Sequence, residues 1–165
     1  MEKKILLAVA LLLALPLFMS AQMAFRTGTN AVNAGVGFAG LKWKGVSYGA
    51  SFEHGITNNW GAGPHLAYSE YSKDGYKYHA LLIGAKGAYH FPASDKADPY
   101  VGAEVGYIAL SHTGSNESVA PHSYSSLGLG FYGGLRYYVS PAFGVYGELR
   151  LSTFAIVGIG ICCKL

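Results

Sequence analysis

Residues 100–110 read YVGAEVGYIAL, and the acid in the middle of this apolar run decides how the chain must fold. An unpaired carboxylate is costly to bury, so a strand inside a soluble core would rarely hold Glu104. Read at every second position, the run splits in two. Val101, Ala103, Val105, Tyr107 and Ala109 fall on one side; Tyr100, Gly102, Glu104, Gly106 and Ile108 fall on the other. Successive strand side chains point to opposite faces, so Glu104 shares its face with glycines while the opposite face is wholly apolar.

The composition of the chain carries the same bias. It has 165 residues, enough for one domain, of which 51% are hydrophobic and only 13% charged. A soluble surface normally brings the charged share nearer a quarter. There are 23 Gly and 13 Tyr, and the net charge of +3 includes Lys3 and Lys4 of the N-terminal segment. No basic patch points to nucleic acid.

The N-terminus reads MEKKILLAVALLLALPLFMSAQ. Two lysines, an apolar run from Ile5 to Met19 and the small residues Ser20 and Ala21 form the layout of a secretory signal peptide, with cleavage expected after Ala21. The run is shorter than the roughly 20 residues a membrane helix needs. The expected organisation is a signal peptide over 1–21 and a single barrel domain over 22–165.

Past Gln22, apolar alternation recurs between clusters of Gly, Pro, Asn, Asp and Ser, and no segment carries a helical period. Eight strands are expected, at 31–39, 46–54, 59–70, 77–91, 99–110, 125–139, 143–151 and 154–164. The connections ITNN and SPA are short and SHTGSNESVAPHSY is long, while only about two residues separate the last two strands. Pro64 is awkward within the third strand because it has no amide hydrogen, which predicts a bulge there or a later strand start.

Across all eight segments one face is apolar and free of charge, from Val32 and Val36 through Val105 and Leu135 to Ile159 and Ile161. The other collects Glu53, His65, Lys86, Glu104, Arg136, Glu148, Arg150 and Lys164 among glycines. A soluble barrel would turn the apolar face inward; a membrane barrel would turn it to lipid. The second face is too poor in charge and too rich in glycine for a solvated exterior. Aromatics near the segment ends, among them Trp60, Tyr68, Tyr89, Phe91, Tyr137 and Phe143, suit an interfacial girdle. Lipid also demands closure, because an open edge would leave backbone groups unpaired in hydrocarbon. The fold class is therefore all-β: an eight-stranded antiparallel up-and-down transmembrane β-barrel.

Glu104 then faces the lumen. The expected interior network has Glu53, Glu104 and Glu148 as acids, Lys86, Arg136 and Arg150 as bases, and His65 nearby. Eight strands leave an interior that side chains nearly fill, so a plugged lumen is expected. Ser111, His112, His122 and Ser123 lie in or beside the long loop and are read as solvated; no elbow, zinc helix or phosphate loop is present. His79 and His90 sit near strand ends and far apart, and neither a metal site nor a cofactor is expected. The two cysteines, Cys162 and Cys163, are strand neighbours on opposite faces and poorly placed to bond each other.

The blocks GVGFAG, HGITNNWGAGPHLAYSEY, KGAYHF, DPYVGAEVGY and GGLRYYVSPAFGVYGELR, after a leader ending in SAQ, resemble the small outer-membrane β-barrel family, in style most like its members from Bacteroidetes-type bacteria. Relatives in that family include the outer membrane protein A barrel, outer membrane protein X and the opacity proteins. The resemblance covers residues 30–165 and implies location in the bacterial outer membrane, contact with its lipid, and a non-enzymatic role with surface or host ligands at the 111–124 loop. It also implies a C-terminal strand read by the barrel assembly machinery, although Leu165 stands where the family usually ends in an aromatic. With no peptidoglycan-binding domain after the barrel, tethering to the cell wall is not carried over. The other readings are a narrow porin-like channel and an enzyme modifying lipid A.

Overall fold

A computed structural model describes residues 23–39, 45–73, 76–113, 124–152 and 155–165. The expected signal peptide and most of the 111–124 loop lie outside these residues. The strands are β1 (Asn30–Ala39), β2 (Val46–Gly55), β3 (Trp60–Lys73), β4 (Tyr76–His90), β5 (Ala97–Thr113), β6 (Tyr124–Tyr138), β7 (Phe143–Leu151) and β8 (Ala155–Lys164). Each pairs antiparallel with its sequence neighbours, and β1 pairs with β8 to close the barrel. Closure gives the strands partners on both sides, the condition that hydrocarbon imposes on backbone polar groups.

The alternation sets which side of the wall each residue occupies. On β5 and β6, Val101, Val105, Tyr107, Leu127, Leu129 and Phe131 are exposed on the outer surface, while Tyr100, Glu104, Ile108 and Tyr132 are buried inside. Branched and aromatic residues suit the outer pleat, and glycines leave interior space for large side chains. A Cβ on Gly102 would lie 2.6 Å from the Tyr132 ring, and one on Gly130 would lie 2.9 Å from a Glu104 carboxylate oxygen. Glycine beside Glu104 therefore makes room for the interior side chains.

The turns 56–59, 91–96 and 139–142 share one end of the barrel with the start of β1 and the end of β8. At the other end, two strands run further than the alternation alone suggested. β3 continues to Lys73 because the β3–β4 ladder keeps its register as far as Lys73↔Tyr76. β5 starts at Ala97 and ends at Thr113, so residues 111–113 of the expected loop are strand.

Pro64 causes neither a bulge nor a late start. The β2–β3 register is the same on either side of it, Ser51↔His65 and His54↔Ala62, and the ladder only skips the two pairs between. Pro64 keeps its place opposite Ala85 on β4, so its missing donor falls on the β2 side. A Cβ on neighbouring Gly63 would sit 2.0 Å from the Phe52 carbonyl oxygen, so this close approach of β2 and β3 needs glycine.

Candidate functional site

The ionic residues of the lumen form two groups. The first lies toward the turn end. Arg136 on β6 donates from Nη1 to Asp98 Oδ2 at 3.1 Å and from Nη2 to Glu53 Oε2. His90, the last residue of β4, places Nδ1 2.7 Å from Asp98 Oδ1 and Nε2 2.9 Å from Glu53 Oε1. An imidazolium can donate to both carboxylates, whereas a neutral ring can donate to only one. All four side chains are buried. The group is charge-balanced when His90 carries both protons.

The second group lies further in. Lys86 Nζ is 3.1 Å from Glu148 Oε1, and Arg150 Nε is 2.6 Å from Glu148 Oε2. Glu104 is held more loosely, 4.0 Å from Arg150 Nη1 and 3.5 Å from His65 Nδ1. Those separations give Coulomb attraction, but Glu104 Oε2 and His65 Nδ1 have no hydrogen-bond partner. Tyr100 joins the groups: its hydroxyl donates to Glu148 Oε1 at 2.8 Å, and the Arg136 guanidinium lies 4.7 Å from its ring centroid. Lys86 Nζ sits 3.9 Å from the Tyr132 ring centroid. Above the ions, toward the long-loop end, Ala67, Ala80, Leu82 and Ile108 form a buried apolar layer with Leu110 packed on it.

All seven residues proposed from the sequence thus point into the barrel. Sequence reasoning missed Asp98 and the inward placement of His90. Asp98 falls in the connection 92–98 between two expected strands, and His90 falls at a strand end. Parity carried a signal for both: Asp98 is in step with Tyr100 and Glu104, and His90 with Lys86 and Ala88. His79 is out of step with His90 and belongs to the outer surface, where the Tyr68 hydroxyl lies 2.7 Å from its Nδ1. Ser111 is exposed on β5, and His122 and Ser123 lie outside the described residues. Among the described residues no group of three or more His, Cys, Asp or Glu side chains is arranged to hold a metal. Cys162 is buried, Cys163 is half-buried, and neither is bonded to the other.

The proposed interface aromatics are on the outer surface. Trp60, Tyr137 and Phe143 lie near the turn end, and Trp60 meets Tyr89 edge-on with centroids 5.3 Å apart. Tyr89 in turn meets Phe91 at 5.1 Å. Tyr68 stands nearer the opposite end, beside Glu70 and His79.

The looseness of Glu104 has a measurable consequence. Removing one partner of a well-made buried pair costs roughly 3–5 kcal/mol. Glu104 makes no hydrogen bond through Oε2, so Glu104→Ala is expected to cost about 1–3 kcal/mol. The urea midpoint of the detergent-folded barrel, followed by gel mobility, measures it. An unchanged midpoint would remove Glu104 from the network.

The sequence model of a family described as "Outer membrane protein beta-barrel domain" matches residues 5–158. Among curated proteins none matches the chain. Among solved structures, the N-terminal β-barrel domain of Pseudomonas aeruginosa OprF is similar, with 19% identity, 84% of this chain and 98% of that one covered, and a TM-score of 0.63. Neisserial surface protein A shares 20% identity over 83% of this chain and 94% of its own, with a TM-score of 0.61. Ail of Yersinia pestis, solved with the heparin analogue sucrose octasulfate, shares 14% identity over 82% and 93%, with a TM-score of 0.52. At these identities the likeness establishes the fold.

Proposed function

The chain belongs to the family of outer membrane β-barrel proteins, and on that premise we propose that it is a non-enzymatic barrel of the bacterial outer membrane whose lumen is closed by ion pairs. The observation that carries this reading is the filling of the interior. Beside the inner ionic group the lumen keeps a cavity of about 20 Å³, lined by Asn33, Ser51, His65, Lys86 and Glu148 among others. That is room for about one water molecule. Among the described residues each lumen acid lies beside a base, Glu104 more loosely than the others, which leaves no free carboxylate pair for acid–base work.

The membrane-facing role rests on the outer surface, where apolar side chains continue around the wall between aromatic ends. Lipid is therefore the partner along the whole circumference, and β8 is the segment offered to the assembly machinery. Contact with surface or host ligands is assigned to the 111–124 segment. Its flanking strands support this: β5 has 17 residues and β6 has 15, against nine in β7 and ten in β8. The β6–β7 ladder stops at Phe131↔Leu151, so the β5–β6 hairpin extends beyond its neighbour.

Single-channel recording in planar bilayers is the test. The expected record is closed, without steady conductance, for protein that shows the slower or faster gel mobility of a folded barrel before boiling. Steady conductance from such protein would replace this reading with the narrow channel. A change in lipid A acyl chains on expression of the protein would replace it with the enzyme.

A further inference from the structure

Residues 23–29 lie before β1 and take no part in the sheet, yet they are built into the barrel mouth. Phe25 is 3% exposed. Its ring lies flat on His90, with centroids 3.5 Å apart and an interplanar angle of 3°. The seat for it is made of glycine. A Cβ on Gly61 would sit 2.7 Å from Phe25 Cζ, and one on Gly55 would sit 2.3 Å from the Arg26 carbonyl oxygen.

The segment is tied at both ends. Ala24 N donates to the Ser94 carbonyl at 2.8 Å, in the turn between β4 and β5. Gly28 N donates to the Gly55 carbonyl at 2.8 Å, and Gly55 N donates to the Thr29 carbonyl at 2.8 Å. Gly28 has φ of 81°, the left-handed region, and this bend turns the segment back across the mouth before β1 begins. Thr27 adds bonds from its amide and hydroxyl to Asn58 Oδ1, at 3.2 and 3.0 Å.

A cavity of about 1010 Å³ lies at this mouth, its lining including Ala24, Arg26, Lys96, Tyr138 and Lys164. Phe25 covers His90 and, through it, the group with Glu53 and Asp98, while Ala24 packs against fully buried Cys162 together with Tyr138. We propose that residues 23–29 are a hinged cover: Phe25 docked on His90 and Ala24 packed on Cys162 shield the ionic group and the thiol from the turn-end mouth, and release of the segment opens both to the compartment on that side. The segment is tied by a few backbone and side-chain hydrogen bonds and one ring, so it can open while the eight-stranded ladder stays intact. The inference concerns the mouth alone; it stands whether or not the interior above it conducts.

The native cysteine reports on the cover. In a Cys163→Ser background, Cys162 of the folded barrel is expected to resist a water-soluble maleimide. Phe25→Ala should speed its labelling roughly tenfold or more while the folded gel mobility is kept. A second variant is independent of any loss of stability: Ala24→Cys in the same background, treated with a mild oxidant, is expected to form a disulfide with Cys162 in the folded protein. Equal labelling of Cys162 with and without Phe25→Ala would overturn the proposal. So would failure of the Ala24→Cys protein to cross-link while folded.

Discussion

Arg136→Ala is expected to destabilise the barrel by about 3–5 kcal/mol, the range for removing one partner of a buried ion pair. Arg136 is 3% exposed and is the base shared by Glu53 and Asp98. Its loss leaves two buried carboxylates with only His90 between them. It also removes the guanidinium over the Tyr100 ring, and Tyr100 is the link to Glu148. The disturbance should therefore spread to the inner group, unlike that of Glu104→Ala. Urea titration in detergent or thin vesicles, with the folded fraction read from unboiled gels, measures the loss. Arg136→Lys should recover only part of it, because an ammonium cannot reproduce the fork that reaches Asp98 and Glu53 together. If Arg136→Ala were no worse than Glu104→Ala, the turn-end group would not hold the barrel together.

Val105→Arg is expected to cost about 2–4 kcal/mol in a bilayer, the range for a base on the lipid face near the midplane. Val105 stands at the middle of β5, paired with Ala85 and Leu129 and 44% exposed. The same change at exposed Ser125, near the rim on β6, should cost no more than about 1 kcal/mol. The contrast is specific to hydrocarbon. A water-facing outer surface would accept both changes about equally, so equal and small effects in vesicles would contradict the membrane placement of this wall.

Glu104 shows how far a strand can be read without its partners. Alternation placed it inward, and the same parity put Lys86, Arg136, Glu148 and Arg150 with it. The identity of each partner was not readable. Lys86 and Glu104 are register neighbours on β4 and β5, yet the ammonium crosses the lumen to Glu148 on β7. Asp98 and Arg136 are also register neighbours, and they do bond. Whether adjacent charges pair depends on the curvature of the closed wall and on what fills the centre. For Lys86, Tyr132 stands beneath the ammonium and Glu148 lies within reach across the barrel.

His90 and Phe25 mark the other limit. A histidine at a strand end carries no label saying that two carboxylates will flank it. Phe25 sits in a stretch with no period, so nothing local separates it from linker. Its burial depends on Gly55 and Gly61 of β2 and β3, which are distant in sequence and come together only when the sheet closes.

The amino-acid order by itself determined the number of strands, their approximate limits and which face of each meets lipid, because a two-residue period is local and acts on every strand alike. Only the tertiary structure decided which charges neutralise one another and what covers the mouth. Those contacts run across the barrel axis between residues tens of positions apart, and their distances exist only once the first strand has met the last.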